Sequence, residues 1–309
     1  MRFIFFILVT FFLSCTEKES ENSTQTSNSY KDQKTLFISH HKKADSLMQL
    51  YYNNLTNRIN SIEYIRKSLG YYKSCLLNLP YKSADLNSYI VKSKMAECYM
   101  ILKDYSEAIT LLKEICIDIE KDKDAYFLLA QCFYNIDDKK ESLNICDALI
   151  NQFPLFIEPL LLSGNIYAED YDDKALKYYE LALQIDSLSI KALYGKGLFY
   201  QNNMRYSEAV DVYHKIKEID QLNINATFNL GFIFMEIHDY NNAINYFSDV
   251  ILTESMYYKA YFARGICYEK KGDVRAAEKD YRKSLEIYPN YQNAQQYLDR
   301  LLSNNEKYK

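Results

Sequence analysis

Tryptophan is absent from this 309-residue chain, and glycine (7) and proline (4) are scarce. A sandwich or barrel that turns every ten residues needs far more of both, so the all-β architectures built on short strands are excluded. No sign of charge dominates. There are 37 basic residues against 41 acidic ones, a net charge of −4, and no clustered Lys and Arg to engage a phosphate backbone, so nucleic acid is not an expected partner. No glycine-rich phosphate loop and no GxSxG nucleophile turn occurs. The four His (His40, His41, His214, His238) stand at no spacing typical of a zinc site or a catalytic triad, and are read as solvated. Neither a metal nor any other cofactor is expected, and no catalysis. What is abundant is apolar and aromatic: 48% hydrophobic residues, with 31 Tyr and 16 Phe, enough to bury a sizeable core.

The N-terminus reads as a processing signal. Arg2 supplies a positive charge, Phe3 to Leu13 are nearly all apolar, and Ser14 and Cys15 follow. The run is too short to span a bilayer. A small residue before Cys at the end of such a run resembles the lipobox of bacterial lipoproteins, with Phe12 where that signal usually carries Leu. The resemblance implies a signal peptide over 1–15 and lipidation of Cys15. The alternative is an ordinary secretory signal with an incidental Cys. Residues 16–35 are polar, rich in Ser, Thr and Asn, and are expected to form a disordered tether.

Beyond the tether the chain repeats itself every 34 residues. Stretches beginning at Ile190, Ile224 and Tyr258 align without gaps: Gly197, Gly231 and Gly265 share a column, as do Tyr200, Phe234 and Tyr268. Ala209, Ala243 and Ala277 follow, and then Tyr213, Phe247 and Tyr281. This pattern matches the tetratricopeptide signature of small and aromatic residues at fixed offsets. Earlier copies keep it with swaps: Leu129, Ala130, Phe133 and Ser142 in one, Met95, Ala96, Tyr99 and Ala108 in another. A further copy, with Leu160, Gly164, Tyr167, Ala175 and Tyr179, is one residue short in its turn. The resemblance implies an all-α solenoid of tetratricopeptide type, a right-handed superhelix of antiparallel helix pairs. Six units are expected at 89–122, 123–155, 156–189, 190–223, 224–257 and 258–291. A degenerate helical repeat over 36–88 precedes them, and a capping helix and tail over 292–309 follows, with Ala294, Tyr297, Leu298 and Leu301 on its inner face. Small residues are expected where helices cross, to let backbones approach, and rings between units.

Six cysteines remain beyond Cys15. Cys98, Cys132 and Cys267 share one column beside the small-residue column, Cys146 replaces an aromatic, and Cys75 and Cys116 sit at apolar helical positions. Free buried thiols are the reading, with disulfides of an exported protein as the alternative.

In tetratricopeptide proteins the first helix of each unit lines the concave face. Carried over by register, this implies a partner-binding groove of Phe127, Gln131, Tyr134, Leu161, Asn165, Tyr194, Leu198, Gln201, Phe228, Phe232, Met235, Phe262, Ile266 and Glu269. An apolar stripe rimmed by amides marks a recognition surface. The family's clamp for a C-terminal carboxylate is not matched: only Asn229 and Lys259 are candidate members, while Tyr194, Leu198 and Ala263 stand where polar residues belong. The expected function is a non-enzymatic scaffold or adaptor, lipid-anchored in the cell envelope, at the outer membrane before the inner, gripping an apolar or extended segment of a protein partner. The alternative is a glycan-binding lipoprotein that stacks sugars on the aromatic groove.

Overall fold

The computed structural model describes residues 23–53, 58–77, 86–118 and 122–306. The signal segment 1–15, Cys15 and the first part of the tether lie outside the described residues, which hold fifteen α-helices and no strand. The chain divides into two compact units that part between Ile136 and Asp137.

The first unit contains α1 (Ser23–Asn53), α2 (Arg58–Leu77), α3 (Leu86–Ile101), α4 (Tyr105–Asp118) and α5 (Lys123–Asn135). Helix α1 starts inside the segment expected to be unstructured. Once a helix is nucleated and packed, each added residue gains a hydrogen bond at little further cost, so a polar stretch without Pro or Gly extends it. Ala44 and Met48 on α1 and Ile65, Leu69, Tyr72 and Cys75 on α2 are buried, and the Ser68 hydroxyl donates to the Ala44 carbonyl at 2.9 Å.

The second unit contains α6 (Lys139–Gln152), α7 (Ile157–Glu169), α8 (Lys174–Ile185), α9 (Ile190–Asn202), α10 (Tyr206–Ile219), α11 (Ile224–Glu236), α12 (Tyr240–Thr253), α13 (Tyr258–Lys270), α14 (Val274–Ile287) and α15 (Gln292–Glu306). Short turns connect consecutive helices, which pack antiparallel. The side chains of Ser189, Asn223, Asp239 and Asp273 accept from backbone N–H groups at the starts of α9, α11, α12 and α14, satisfying donors that the helix leaves unpaired. The copy that is one residue short pays for it in α8, which has 12 residues where α10, α12 and α14 have 14.

Two residues beyond the ends of α3, α5, α7, α9, α11 and α13 comes a residue of left-handed backbone conformation, Lys103, Asp137, Tyr171, Met204, His238 and Gly272 in turn, with φ between 55° and 82°. Beyond it the chain closes back, as where the Asp239 N–H donates to the Phe234 carbonyl at 2.8 Å. Only one of these six is glycine, the residue that adopts this conformation without strain.

The aligned glycines serve a different purpose from the one expected. A Cβ on Gly164, Gly197, Gly231 or Gly265 would stand 2.7–2.8 Å from the ring of Tyr179, Tyr213, Phe247 or Tyr281 respectively. The space that glycine leaves is thus filled by the aromatic ring of the paired second helix, and not by its backbone. Those four rings are at most 1% exposed, and Ala175, Ala209, Ala243 and Ala277 beside them are fully buried. Helix α15 closes the stack with Ala294, Leu298 and Leu301 buried and Gln292, Gln295, Gln296 and Asp299 exposed.

Candidate functional site

Within the second unit the first helices of successive pairs adjoin, α7 with α9 and α11 with α13. On them lie Leu161, Asn165, Tyr194, Leu198, Gln201, Phe228, Phe232, Met235, Phe262, Ile266 and Glu269. Phe127, Gln131 and Tyr134 lie on α5, in the first unit. All of these except the exposed Asn165 are half-buried, so within each unit the apolar side chains are partly covered and not the open stripe expected. The reason is ring packing. Phe228 lies 5.4 Å from both Phe247 and Tyr257, and Phe262 is boxed by Tyr281 at 5.8 Å and by Tyr291 and Tyr297 at 5.1 Å each.

The aromatic wall is larger than the register implied. Tyr257, Tyr258, Tyr288 and Tyr291 join it, with Tyr258 4.9 Å from each of Tyr288 and Tyr291. They sit at the turns between helix pairs, or beside them, where a reading confined to first-helix positions does not look. Ile224, Asn225, Glu254, Met256, Tyr257, Tyr258 and Lys259 line a cavity of about 460 Å³ at the N-terminal ends of α11 and α13. Burial raises the Tyr257 hydroxyl pKa, with a smaller push from Tyr194 and Tyr258.

The polar groups on this face are tied to buried tyrosines. The Tyr179 hydroxyl donates to Asn165 Oδ1 at 2.8 Å, Tyr213 to Gln201 Oε1 at 3.0 Å and Tyr281 to Glu269 Oε2 at 2.7 Å. Asn229, 8% exposed, donates to the hydroxyls of both Tyr194 and Tyr213. Burial raises the pKa of Tyr213 and of Tyr281, and for Tyr281 the acceptor Glu269 adds to it. Arg264 makes a two-pronged ion pair with Asp280 at 2.7 and 2.9 Å. Lys259 is exposed, and with Asn229 committed to tyrosines the two do not combine into a carboxylate clamp.

Elsewhere the chemistry is sparse. Cys75, Cys98, Cys116, Cys132, Cys146 and Cys267 are all free and buried, and burial pushes their thiols up to about 11 or 12. Among the described residues no group of three or more His, Cys, Asp or Glu is placed to hold a metal ion, and no helix is long and apolar enough to cross a membrane. Two histidines depart from the expectation of a solvated ring: His40 is half-buried, with its Nδ1 sealed from solvent and its ring 5.5 Å from that of Tyr71, and His41 is half-buried beside Asp45. His41 Nδ1 lies 3.1 Å from Asp45, whose other oxygen accepts from Tyr72 at 2.5 Å. Burial would raise the Asp45 carboxyl, but the bonds from His41 and Tyr72 outweigh it and hold the group below the usual carboxylate range.

These features define an all-α solenoid of helix pairs. Comparison with known proteins agrees on the fold. Residues 124–155 and 258–291 each match a family model of the tetratricopeptide repeat. A tetratricopeptide repeat protein from Parabacteroides merdae superposes with a TM-score of 0.59 at 13% identity, over 84% of this chain and 99% of that one. PilW, described as a widely conserved type IV pilus biogenesis factor, superposes with a TM-score of 0.59 at 15% identity, over 68% of this chain and 98% of its own. At such identities the likeness is one of fold. No curated protein matches the chain in sequence.

Proposed function

We propose that the protein is a non-enzymatic interaction scaffold that grips an apolar or extended segment of a partner protein on the first-helix face of α7, α9, α11 and α13. The observation that carries this reading is the half-buried aromatic wall around Phe228, Phe262 and Tyr257, which opens into a cavity of about 460 Å³. Aromatic side chains offer large contact area at low entropic cost, and the open cavity beside them mixes Ile224, Met256, Tyr257 and Tyr258 with the polar Asn225, Glu254 and Lys259. With no cationic cluster on this face, the segment is read through apolar contact and neutral hydrogen bonds.

The same proposal places the protein in the cell envelope, tethered by lipid on Cys15, with the outer membrane as the expected site. Support for the anchor comes from the N-terminal sequence alone. Two experiments test the two halves. Selection of a random 12-residue peptide library on the full chain in detergent should yield binders that a Phe228→Ala, Phe232→Ala double variant loses at least tenfold. An absence of binders, with signal only on a glycan array, would replace the protein partner with a sugar. Palmitate should label the wild type and not Cys15→Ala, and label retained in the variant refutes the anchor.

A further inference from the structure

Antiparallel packing gives each unit two kinds of end, one where a first helix passes into its second and one where a second helix passes into the next first helix. Among the described residues, five of the six most exposed large apolar side chains stand at ends of the second kind: Leu77 closes α2, Ile117 lies near the end of α4, Leu155 between α6 and α7, Leu222 between α10 and α11, and Leu252 near the end of α12. All five are at least 70% exposed, and the sixth, Met204, stands at an end of the first kind. Bare apolar residues scattered singly mean little. Their concentration at one kind of end marks contact with something outside the chain.

In the second unit these tips are single residues set among polar ones, as in Ser187-Leu188-Ser189 and Gln221-Leu222-Asn223. Asp186 and Asp220 each accept a backbone N–H two residues on, from Leu188 at 3.0 Å and from Leu222 at 3.3 Å, which fixes the turn while both apolar side chains stay exposed. A protein partner would need a separate pocket for every tip, at the spacing of the repeat. A fluid hydrocarbon layer takes them in any register. Tyr288, exposed just after α14, adds an amphipathic ring of the kind that suits the boundary between lipid and water. Charge selects the lipid. Asp186, Asp220 and Glu254 at these turns stand against Lys191 and Lys259 in the first turns of α9 and α13, so an anionic surface is not attracted and a zwitterionic one is matched.

The chain that precedes the described residues joins at an end of the same kind. Near the close of α2, Cys75 Sγ lies 3.7 Å from the Phe37 carbonyl, so α1 overhangs this end of its pair from Ser23 to Phe37, about 21 Å of helix. The eight residues that lead from Cys15 to Ser23 reach about 27 Å at full stretch. That reach exceeds the overhang, so a lipid on Cys15 allows the end of the helix pair to come down to the bilayer. We propose that in each unit, taken by itself, the end where second helices pass into first helices rests on a zwitterionic phospholipid surface, with Leu155, Leu222 and Leu252 among the tips that enter the interface. The proposal rests on the lipid anchor at Cys15 and assigns the side of the helix pairs that faces the membrane.

Because the chain has no tryptophan, one introduced indole reports its own surroundings without background. The full chain carrying Leu222→Trp, and separately Met204→Trp as the control at the other kind of end, is reconstituted with vesicles of phosphatidylethanolamine and phosphatidylcholine, and flotation shows whether it is anchored. In the floating chain, emission from Leu222→Trp should shift to the blue and fall by about half when the acyl chains are brominated, while Met204→Trp keeps the emission of a solvated indole. Leu252→Trp is read in place of Leu222→Trp if the latter melts early. Replacing part of the lipid by phosphatidylglycerol should weaken the quenching, and stronger quenching there overturns the charge match. Equal quenching at both ends, or none at either, in a chain that floats overturns the proposal and leaves the anchor standing. A blue shift that brominated lipid does not quench marks a protein surface, a second copy included, in place of lipid and overturns it too. A chain that does not float overturns the anchor, and with it this proposal.

Discussion

Single residues show how finely the stack is fitted. Gly231→Ala would place a methyl group 2.8 Å from the fully buried Phe247 ring, and since a packed ring cannot retreat, a loss of about 1–3 kcal/mol is expected. Gly70→Ala, in helix α2 with nothing within 4 Å of the new carbon, should instead gain about 0.5–1 kcal/mol by restricting the unfolded chain. Urea melts of the two variants check the contrast, and equal behaviour contradicts the ring-in-notch packing. The left-handed turn residues offer a second matched pair. Met204 has φ 59° and Gly272 has φ 82°, so Met204→Gly should raise the melting temperature, by up to about 1 kcal/mol of stability, and Gly272→Ala should lower it by a similar amount.

The residue scale is also where the sequence was hardest to read. The glycine, alanine and aromatic columns were legible because a fixed period repeats them. That glycine makes room for a ring and not for a backbone was not legible, because it depends on the direction of a side chain from another helix. Asn229 is the sharper case. The family register marks it only as a candidate member of a carboxylate clamp, its bonds to Tyr194 and Tyr213 join residues 35 and 16 positions away, and no local pattern announces a contact of that kind.

At the scale of the helix, burial of the inner face does most of the stabilising, and the caps set where each element starts. Ala243 on α12 is fully buried beside Phe247, so Ala243→Asp introduces a charge with no partner, at an expected cost of about 3 kcal/mol or more. An unchanged thermal melt would show the helix register to be wrong. Asp, Ser or Asn stands before most of the helix starts, so the sequence carries marks for where the elements begin. The start of α1 was not, because polar composition argues against a packed core but does not forbid a helix from running on. Likewise the turn tyrosines Tyr257, Tyr258, Tyr288 and Tyr291 escaped a register that counts only positions within first helices.

For the molecule as a whole, the buried thiols and phenols make stability depend on alkali. The ordinary thiol value is 9.0, and burial pushes Cys98, Cys132, Cys146 and Cys267 up to about 12, while Tyr72, Tyr213 and Tyr281 move in the same direction. A raised folded-state pKa means that the folded form keeps protons that the unfolded chain gives up. Their contribution is therefore whole below pH 9 and is lost as pH climbs towards 12. The melting temperature should hold level from pH 7 to about 9 and then fall steadily; a rise above pH 9 contradicts the burial of these groups. In the native chain at pH 8 the six thiols should resist iodoacetamide and react once denatured.

A scaffold assembled from near-identical joints can vary its chemistry joint by joint without altering its stacking, and here the polar joint at Tyr213 and Asn229 stands one repeat from an apolar joint at Phe247 and Ala263. Hydrogen exchange of the full chain, with and without a selected peptide, tests most directly whether this face does the binding. Slowed exchange confined to α7, α9, α11 and α13 is the predicted result. Protection that falls on the second helices, α10, α12 and α14, or on the exposed turns at Leu188 and Leu222, would place the partner elsewhere and contradict the account.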